Sequence, residues 1–396
     1  MLFENTEIAY QAKTTAQLRK AYWLFKAVSI PFLVRVGKIL TLLSLKLRLP
    51  VLGLLKRTIF EQFCAGTTKE EALHCVSELT TNNVASYLHY SVEGSGDESK
   101  FEESLQYTLE TFDLSKKSQQ WLPFAVFKPT GIGPAIVFEK QSEKVSLNSS
   151  EKEAWECIEK RFEKICKKAA SLGISVLVDA EESWFQDAID ELTEACMQKF
   201  NKEKPVVYTT AQMYRKDRLQ YLEDLHKSAL EKGFKIGVKL VRGAYMEKEA
   251  HRAKKMGYSN PINESKEATD RLYGNAIAFI FDNLDSFSVL LGSHNEQSMY
   301  EALALMKQKG IPKNSPHVWF AQLYGMSDHI SFNLSKEGYN AIKYLPYGPV
   351  KEVVPYLMRR AEENTSVAGQ TSRELILISK EQNRRKATAQ KTRPIE

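Results

Sequence analysis

Two adjacent arginines, Arg359 and Arg360, lie in the run IKYLPYGPVKEVVPYLMRRAEEN at 342–364, which reads as a short buried strand, a turn and a helix starting just after Gly348. Neighbouring side chains on a helix point about 100° apart, so two guanidiniums with one purpose must converge on one target. A carboxylate suits the flat, forked guanidinium. A solvated helix end balanced by Glu362 and Glu363 is the plainer reading. Other polar groups stand where short apolar runs stop: Lys128 in FAVFK, Asp179 in ISVLVDA, Gln212 in PVVYTTAQ, and Lys239 in KIGVKLV with Arg242 beyond it. Ser293 and His294 close SVLLGSH, Leu323 closes HVWFAQL, and Tyr344 lies in NAIKYL. Singly, each has an ordinary explanation: Asp179 a helix cap, His294 a satisfied core histidine, Lys239 a strand end. Together they offer cations for an anionic group, a carboxylate for a proton and an aromatic wall.

Other chemistries lack their residues. No HxxxH-like spacing marks a metal site, and there is no GxSxG elbow or P-loop. GIGP at 131–134 begins like a dinucleotide fingerprint, but Pro134 and the missing third glycine spoil it. KLVRGAY at 239–245 is more useful, since Gly243 permits close backbone approach and Arg242 can pair with phosphate.

The elements that must hold these groups alternate regularly. Apolar, β-branched runs at 84–92, 124–128, 174–180, 205–212, 235–241, 288–294, 317–323 and 340–345 read as strands buried on both faces. Helical stretches at about 98–113, 149–171, 184–200, 217–232, 264–284 and 327–334 separate or follow them. Eight such units predict an α/β fold, a distorted (β/α)8 TIM-type barrel, whose working groups gather where strands end. The expected division is an N-terminal helical region over 1–82, a barrel over 83–368, and a C-terminal helix with a basic tail over 369–396. Thr67 or Thr68 caps a helix running to about Leu79.

The chain has 396 residues, 43% of them apolar, and a net charge of +6, which excludes a disordered or multi-span membrane protein. Its charge is uneven. From Ile8 to Phe60 there are ten Lys and Arg and no Asp or Glu, and Arg384, Arg385, Lys386, Lys391 and Arg393 cluster later. Without interleaved stacking motifs these segments argue against nucleic acid and for an anionic surface. The helices over 15–60, broken near Pro31 and Pro50, are expected to pack on the main domain, with a basic amphipathic surface resting on a membrane as the alternative. Five cysteines without metal spacing suit a reducing compartment, and MLFENTEIAY lacks a signal pattern. A cytoplasmic protein is expected, with a peripheral place on the inner face of a membrane as the further option.

VLVDAEESWFQDAID (176–190), EKPVVYTTAQMY (203–214), VKLVRGAYMEKEA (238–250), NPINES (260–265), SHNEQS (293–298), FAQLYGM (320–326) and KYLPYGPVKEVVPYLMRRAEEN (343–364) resemble, in order, the motifs of the proline dehydrogenase family. The resemblance covers about 60–368 and is nearer the monofunctional enzymes than the bifunctional fusions. It implies an FAD-dependent oxidation of L-proline to Δ1-pyrroline-5-carboxylate, with a membrane quinone as electron acceptor. It also implies that Arg359 and Arg360 clamp the substrate carboxylate with Lys128 assisting, while Tyr245, Leu323, Tyr344 and Tyr356 line the ring pocket. Gln212 would hold the flavin's pyrimidine edge, and Lys239, an arginine in some relatives, would lie near its reactive nitrogen. Arg242, Gly243, Ala244, Ser293 and His294 would follow the ribityl-phosphate portion, with Ala180 and Glu363 also on the cofactor. Asp179 would be catalytic with Lys239, and whether Asp179 or water takes the amine proton stays open. Hydroxyproline dehydrogenase is the alternative on the same fold, but a serine commonly replaces Tyr344 there. A non-catalytic, membrane-associated barrel is the other alternative.

Overall fold

A computed structural model describes residues 1–47, 52–91, 97–366 and 370–391. The eight apolar runs form eight parallel strands: β1 (Ala85–Tyr90), β2 (Phe124–Phe127), β3 (Ser175–Val178), β4 (Val207–Gln212), β5 (Ile236–Val241), β6 (Phe287–Gly292), β7 (Val318–Leu323) and β8 (Ala341–Tyr347). Their order, β1-β8-β7-β6-β5-β4-β3-β2, is that of a (β/α)8 barrel with a seam between β1 and β2. Among the described residues no ladder crosses the seam. The Ser86 amide instead donates to the Trp121 carbonyl just ahead of β2 (2.8 Å).

Alternation along each strand decides which side chains reach the site, because successive residues face opposite sides of a sheet. Val176 and Val178, Val207 and Ala211, and Val238 and Leu240 face the outer helices and join the largest buried cluster. Tyr87, Phe124, Val126, Leu177, Tyr208, Leu290, Ala321 and Ile342 belong to the other set and fill the barrel interior. Continuing that inward parity to each strand's end gives His89, Lys128, Asp179, Gln212, Lys239, Leu323 and Tyr344. The rim residues are therefore inward-facing for a reason set by their position in the strands.

The outer helices follow expectation closely, as Glu98–Lys117, Ser149–Leu172, Ser183–Phe200, Arg218–Lys232, Lys266–Asp282 and Asp328–Lys336, while Glu296–Gln308 fills the place after β6, for which no range was expected. Thr68 caps Lys69–Thr80 by accepting from the Glu71 amide (3.3 Å). Two helices, Ala135–Ser142 and Met246–Met256, were not expected. Met246–Met256 buries only Glu249 and Ala253, so it lacks the stripe of large apolar residues by which the other outer helices are read. Its Glu249 is instead buried and accepts from both the amide (2.7 Å) and the hydroxyl (2.6 Å) of Ser183, so it caps the helix after β3 from a distance. The helix after β8 is Val350–Ser366, and the Pro349 carbonyl accepts its first bonds from Glu352 and Val353. Pro349 thus stands at the cap, one residue earlier than expected.

The chain's ends meet over the barrel. Thr15–Val28 buries Leu18, Ala21, Phe25 and Val28 and packs against the Gln370–Lys391 helix. Arg373 bridges Glu4 and Glu296, and Arg385 donates to the carbonyls of Lys13 and Tyr10 (both 2.8 Å). Arg384 and Arg385 both grip Glu381, which is fully buried. This part of the C-terminal basic cluster is therefore held by a carboxylate of its own helix, contrary to the expected anionic surface. Arg393 lies outside the described residues.

Candidate functional site

A cavity of about 290 Å³ opens at the ends of β1, β2 and β3, above the seam. Its polar lining includes His89, Lys128, Glu181, Tyr245, Lys248 and Arg359. The two glutamates beside it are engaged by the protein. Glu181 accepts from the amide (2.9 Å) and hydroxyl (2.7 Å) of Thr130, and Glu182 pairs with Lys248. Burial raises the Glu181 pKa against the pull of Lys128 and Thr130. By holding Thr130, Glu181 fixes the Pro129–Gly131 turn that begins at Lys128.

Behind the cavity stands an aromatic wall. Tyr344 lies with its ring centroid 5.3 Å from Tyr87, 5.6 Å from His89 and 6.2 Å from Tyr356. Its hydroxyl makes a short hydrogen bond with His89 Nδ1. Burial brings the His89 pKa down to about 4, with Asp179 opposing and Lys128, Lys239 and Arg359 assisting, so this imidazole is neutral at pH 7. The Arg360 guanidinium lies 5.1 Å from the Tyr356 ring centroid, while Arg359 reaches the cavity. Neither arginine therefore ends in open solvent: one lies against an aromatic ring and the other lines the cavity.

A second group occupies the ends of β3 to β6. Asp179 Oδ1 receives Lys239 Nζ at 2.5 Å. The helix after β3 has Glu182 at its cap position, so Asp179 is not the helix cap. Burial opposes the Lys239 charge, but Asp179 and Tyr87 outweigh it and raise the ammonium's pKa. Gln212 is buried and its Oε1 has no hydrogen-bond partner, although most buried polar atoms are paired. Arg242 donates to Asp270 (2.7 Å), Ser293 (2.6 Å) and Ser298 (2.8 Å) and lies 4.5 Å from the Tyr273 ring centroid. Gly243 has φ +117°, and a Cβ there would fall 2.5 Å from the Tyr214 ring, so only glycine fits.

His294 Nδ1 meets the Ser327 hydroxyl (2.9 Å), and burial with the cations around it, Lys343 first, brings its pKa to about 3. Ala180 is half-buried, Ala244 exposed and Leu323 half-buried. Glu363 lies on the Val350–Ser366 helix, but its side chain is outside the described residues.

Sequence reasoning missed several polar groups. His89 shares the inward parity of Tyr87 and was legible from alternation alone. Glu181 needed knowledge that Thr130 lies opposite. Lys343, fully buried on the outward face of β8, pairs with Asp328 (2.9 Å), which also pairs with Lys13 (2.8 Å). Burial favours a protonated Asp328, but the two lysines outweigh it and hold its carboxyl well below the usual carboxylate range.

The family model described as proline dehydrogenase matches residues 72–373. The chain is 36% identical over 82% of its length to the carbapenem antibiotics biosynthesis protein CarD of Pectobacterium carotovorum, covering 83% of that protein. It is 32% identical to proline dehydrogenase 1, mitochondrial, of Dictyostelium discoideum, over 96% of this chain and 74% of the relative. It is also 32% identical to hydroxyproline dehydrogenase of Xenopus laevis, over 95% and 88%. Among solved structures, proline utilization A of Bdellovibrio bacteriovorus superposes with a TM-score of 0.70 at 19% identity, over 91% of this chain but 38% of that one, which supports the barrel fold. With the family model matching most of its length and the Dictyostelium discoideum relative 32% identical over 96% of it, the chain belongs to the proline dehydrogenase family.

Proposed function

We propose that this chain oxidises L-proline to Δ1-pyrroline-5-carboxylate with FAD as cofactor, passing electrons to a membrane quinone from a peripheral position on the inner face of the membrane. Residues 83–368 are the catalytic barrel in this reading, with 1–82 and 369–396 as flanking regions. The observation that carries it is one cavity lined together by Lys128, Arg359, His89 and Tyr245, whose glutamates are already engaged. Its cations suit a small carboxylate, held by Arg359 and Arg360 with Lys128 assisting. Tyr245, Leu323, Tyr344 and Tyr356 then bound the ring and fix its orientation. Three nearby cations disfavour a further positive charge, so the bound amine is held neutral, as loss of hydride requires. Asp179, salt-bridged to Lys239, keeps that ammonium charged and aimed inward.

The residues at β3 to β6 fit a flavin. Gln212 presents a buried, unpartnered acceptor suited to a ring N–H, Lys239 a buried cation, and Gly243 a backbone without a side chain. Arg242, Ala244, Ser293, His294, Ala180 and Glu363 complete the cofactor set. Bound there, FAD supplies the electron acceptor that no side chain provides. The test is the visible spectrum of the purified protein, titrated anaerobically with L-proline and then with trans-4-hydroxy-L-proline. A flavin spectrum bleached efficiently by proline and poorly by the hydroxylated ring is expected. A protein that stays colourless after reconstitution with FAD overturns the reading.

Tyr344 favours proline over its hydroxylated relative because its phenol, bonded to His89, stands where a ring hydroxyl would need room. Releasing that phenol should relax the discrimination. A net hydrogen bond of this kind contributes about 0.5–1.5 kcal/mol, so His89→Leu is expected to lower the proline to hydroxyproline ratio of kcat/KM roughly 3- to 10-fold. His89→Asn, which keeps a polar atom near Nδ1, should recover part of it. An unchanged ratio in His89→Leu would show that the histidine does not hold the phenol.

A further inference from the structure

The Pro31–Lys46 helix turns its apolar residues toward solvent. Phe32, Leu33, Ile39, Leu40, Leu43 and the following Leu47 are 71, 46, 52, 57, 49 and 66% exposed. At about 100° per residue these six fall within an arc of about 120°, and Leu42, 50% exposed, lies about 60° beyond it. Val34, packed on the buried interior cluster, and Lys38, paired with Glu362, lie on the other side of the helix. Arg35 and Lys46 are exposed at one margin of the apolar arc. The preceding helix behaves differently, since Thr15–Val28 buries its apolar face in the protein. The expectation that both helices pack on the main domain therefore holds for the first and fails for most of the second.

An exposed apolar face of this extent marks an interaction surface. Its charge identifies the occupant. With ten cations and no carboxylate between Ile8 and Phe60, a second copy of the chain would set like charge against like. A bilayer with anionic headgroups supplies both an apolar depth and a negative rim. No single helix among the described residues is long and apolar enough to cross a membrane. The pair Thr15–Val28 and Pro31–Ser44 is bent by 94°, and its first arm is committed to the protein. We propose that the Pro31–Lys46 helix lies in the plane of a bilayer bearing anionic lipid and is the surface on which the protein docks. This rests on the reading of a membrane quinone as acceptor and assigns it a place. The helix also packs against Val350–Ser366, so docking sets the arginine-bearing helix beside the membrane.

Co-sedimentation of the full chain with vesicles tests this, using phosphatidylcholine alone and phosphatidylcholine mixed with phosphatidylglycerol, at low and high salt. Binding to the mixed vesicles, weakened by salt, is expected. Each cation near such a surface contributes about 1 kcal/mol, so Arg35→Gln and Lys46→Gln should each weaken binding about fivefold. Leu40→Glu/Leu43→Glu should abolish it while leaving proline-dependent reduction of a soluble dye unchanged. Vesicle binding by this double variant equal to wild type overturns the proposal. So does a wild-type dimer that the same variant converts to monomer without altering vesicle binding. A wild-type protein that binds vesicles but reduces no dye with proline would count against the proposed reaction and leave the docking surface standing.

Discussion

Asp328→Ala is expected to cost about 3–5 kcal/mol of stability, the usual penalty for leaving a buried charge without its partner. Lys343 is fully buried, and it also donates to the carbonyls of Met326 (2.5 Å) and Leu323 (3.3 Å). Carbonyls solvate an ammonium but do not neutralise it. Removing both charges, as in Asp328→Ala/Lys343→Met, should recover most of the loss, because replacing a buried pair with apolar groups is often near neutral. Urea unfolding followed by tryptophan fluorescence measures both variants. Equal losses in the single and double variants would show that the charge pair is not what stabilises this corner. The pH dependence has a definite sign. The folded-state pKa of Asp328 is depressed, so its contribution is present above the ordinary aspartate pKa and is lost only as pH falls through the lower, folded value. Acid unfolding of wild type should therefore include an Asp328-dependent component below about pH 4, absent from Asp328→Ala.

Arg359→Met should give the largest catalytic effect. A charged group that pairs with a desolvated carboxylate typically costs 2–5 kcal/mol when truncated, so KM for L-proline should rise by roughly 30-fold or more. If ground state and transition state share the carboxylate contact, kcat changes much less than KM. Flavin content should be unaffected, since Arg359 lines the cavity at the β1–β3 ends and not the Gln212 side of the barrel. Lys128→Met should have a smaller effect because a flexible ammonium contributes a point charge and not a fork. Steady-state kinetics with a soluble acceptor checks both. An Arg359→Met enzyme with wild-type KM would remove this residue from substrate binding.

How far the sequence reveals the molecule depends on the distance over which each feature is encoded. Strand ends were legible because alternation is local: VLVD, TTAQ and GVKLV state their own parity, and the rim follows from it. The Thr68 cap was legible for the same reason. Met246–Met256 was not, since its buried group is Glu249 and the partner that explains it, Ser183, lies on another loop. The Asp328 pair was hidden more deeply. Lys343 stands next to Tyr344 in the sequence yet faces the other way, and its counter-charge is set by how β7 turns into the following helix. At Pro31–Lys46 the pattern is amphipathic, but periodicity cannot say which face the protein covers.

The junction of the two chain ends bears on how the protein is made. Tyr10 hydrogen-bonds to Glu374 (3.4 Å), and the Lys13 carbonyl accepts from Arg385. The same Glu374 holds the Ser327 amide (2.6 Å), whose hydroxyl meets His294. Residues near the start of the chain thus leave the ribosome 364 positions before a partner that completes their packing. At typical rates of about 5–20 residues per second, that interval is roughly 20–70 s. Throughout it the apolar side of Thr15–Val28 lacks part of its cover, so the nascent chain stays in a form that chaperones can bind until the Gln370–Lys391 helix closes it.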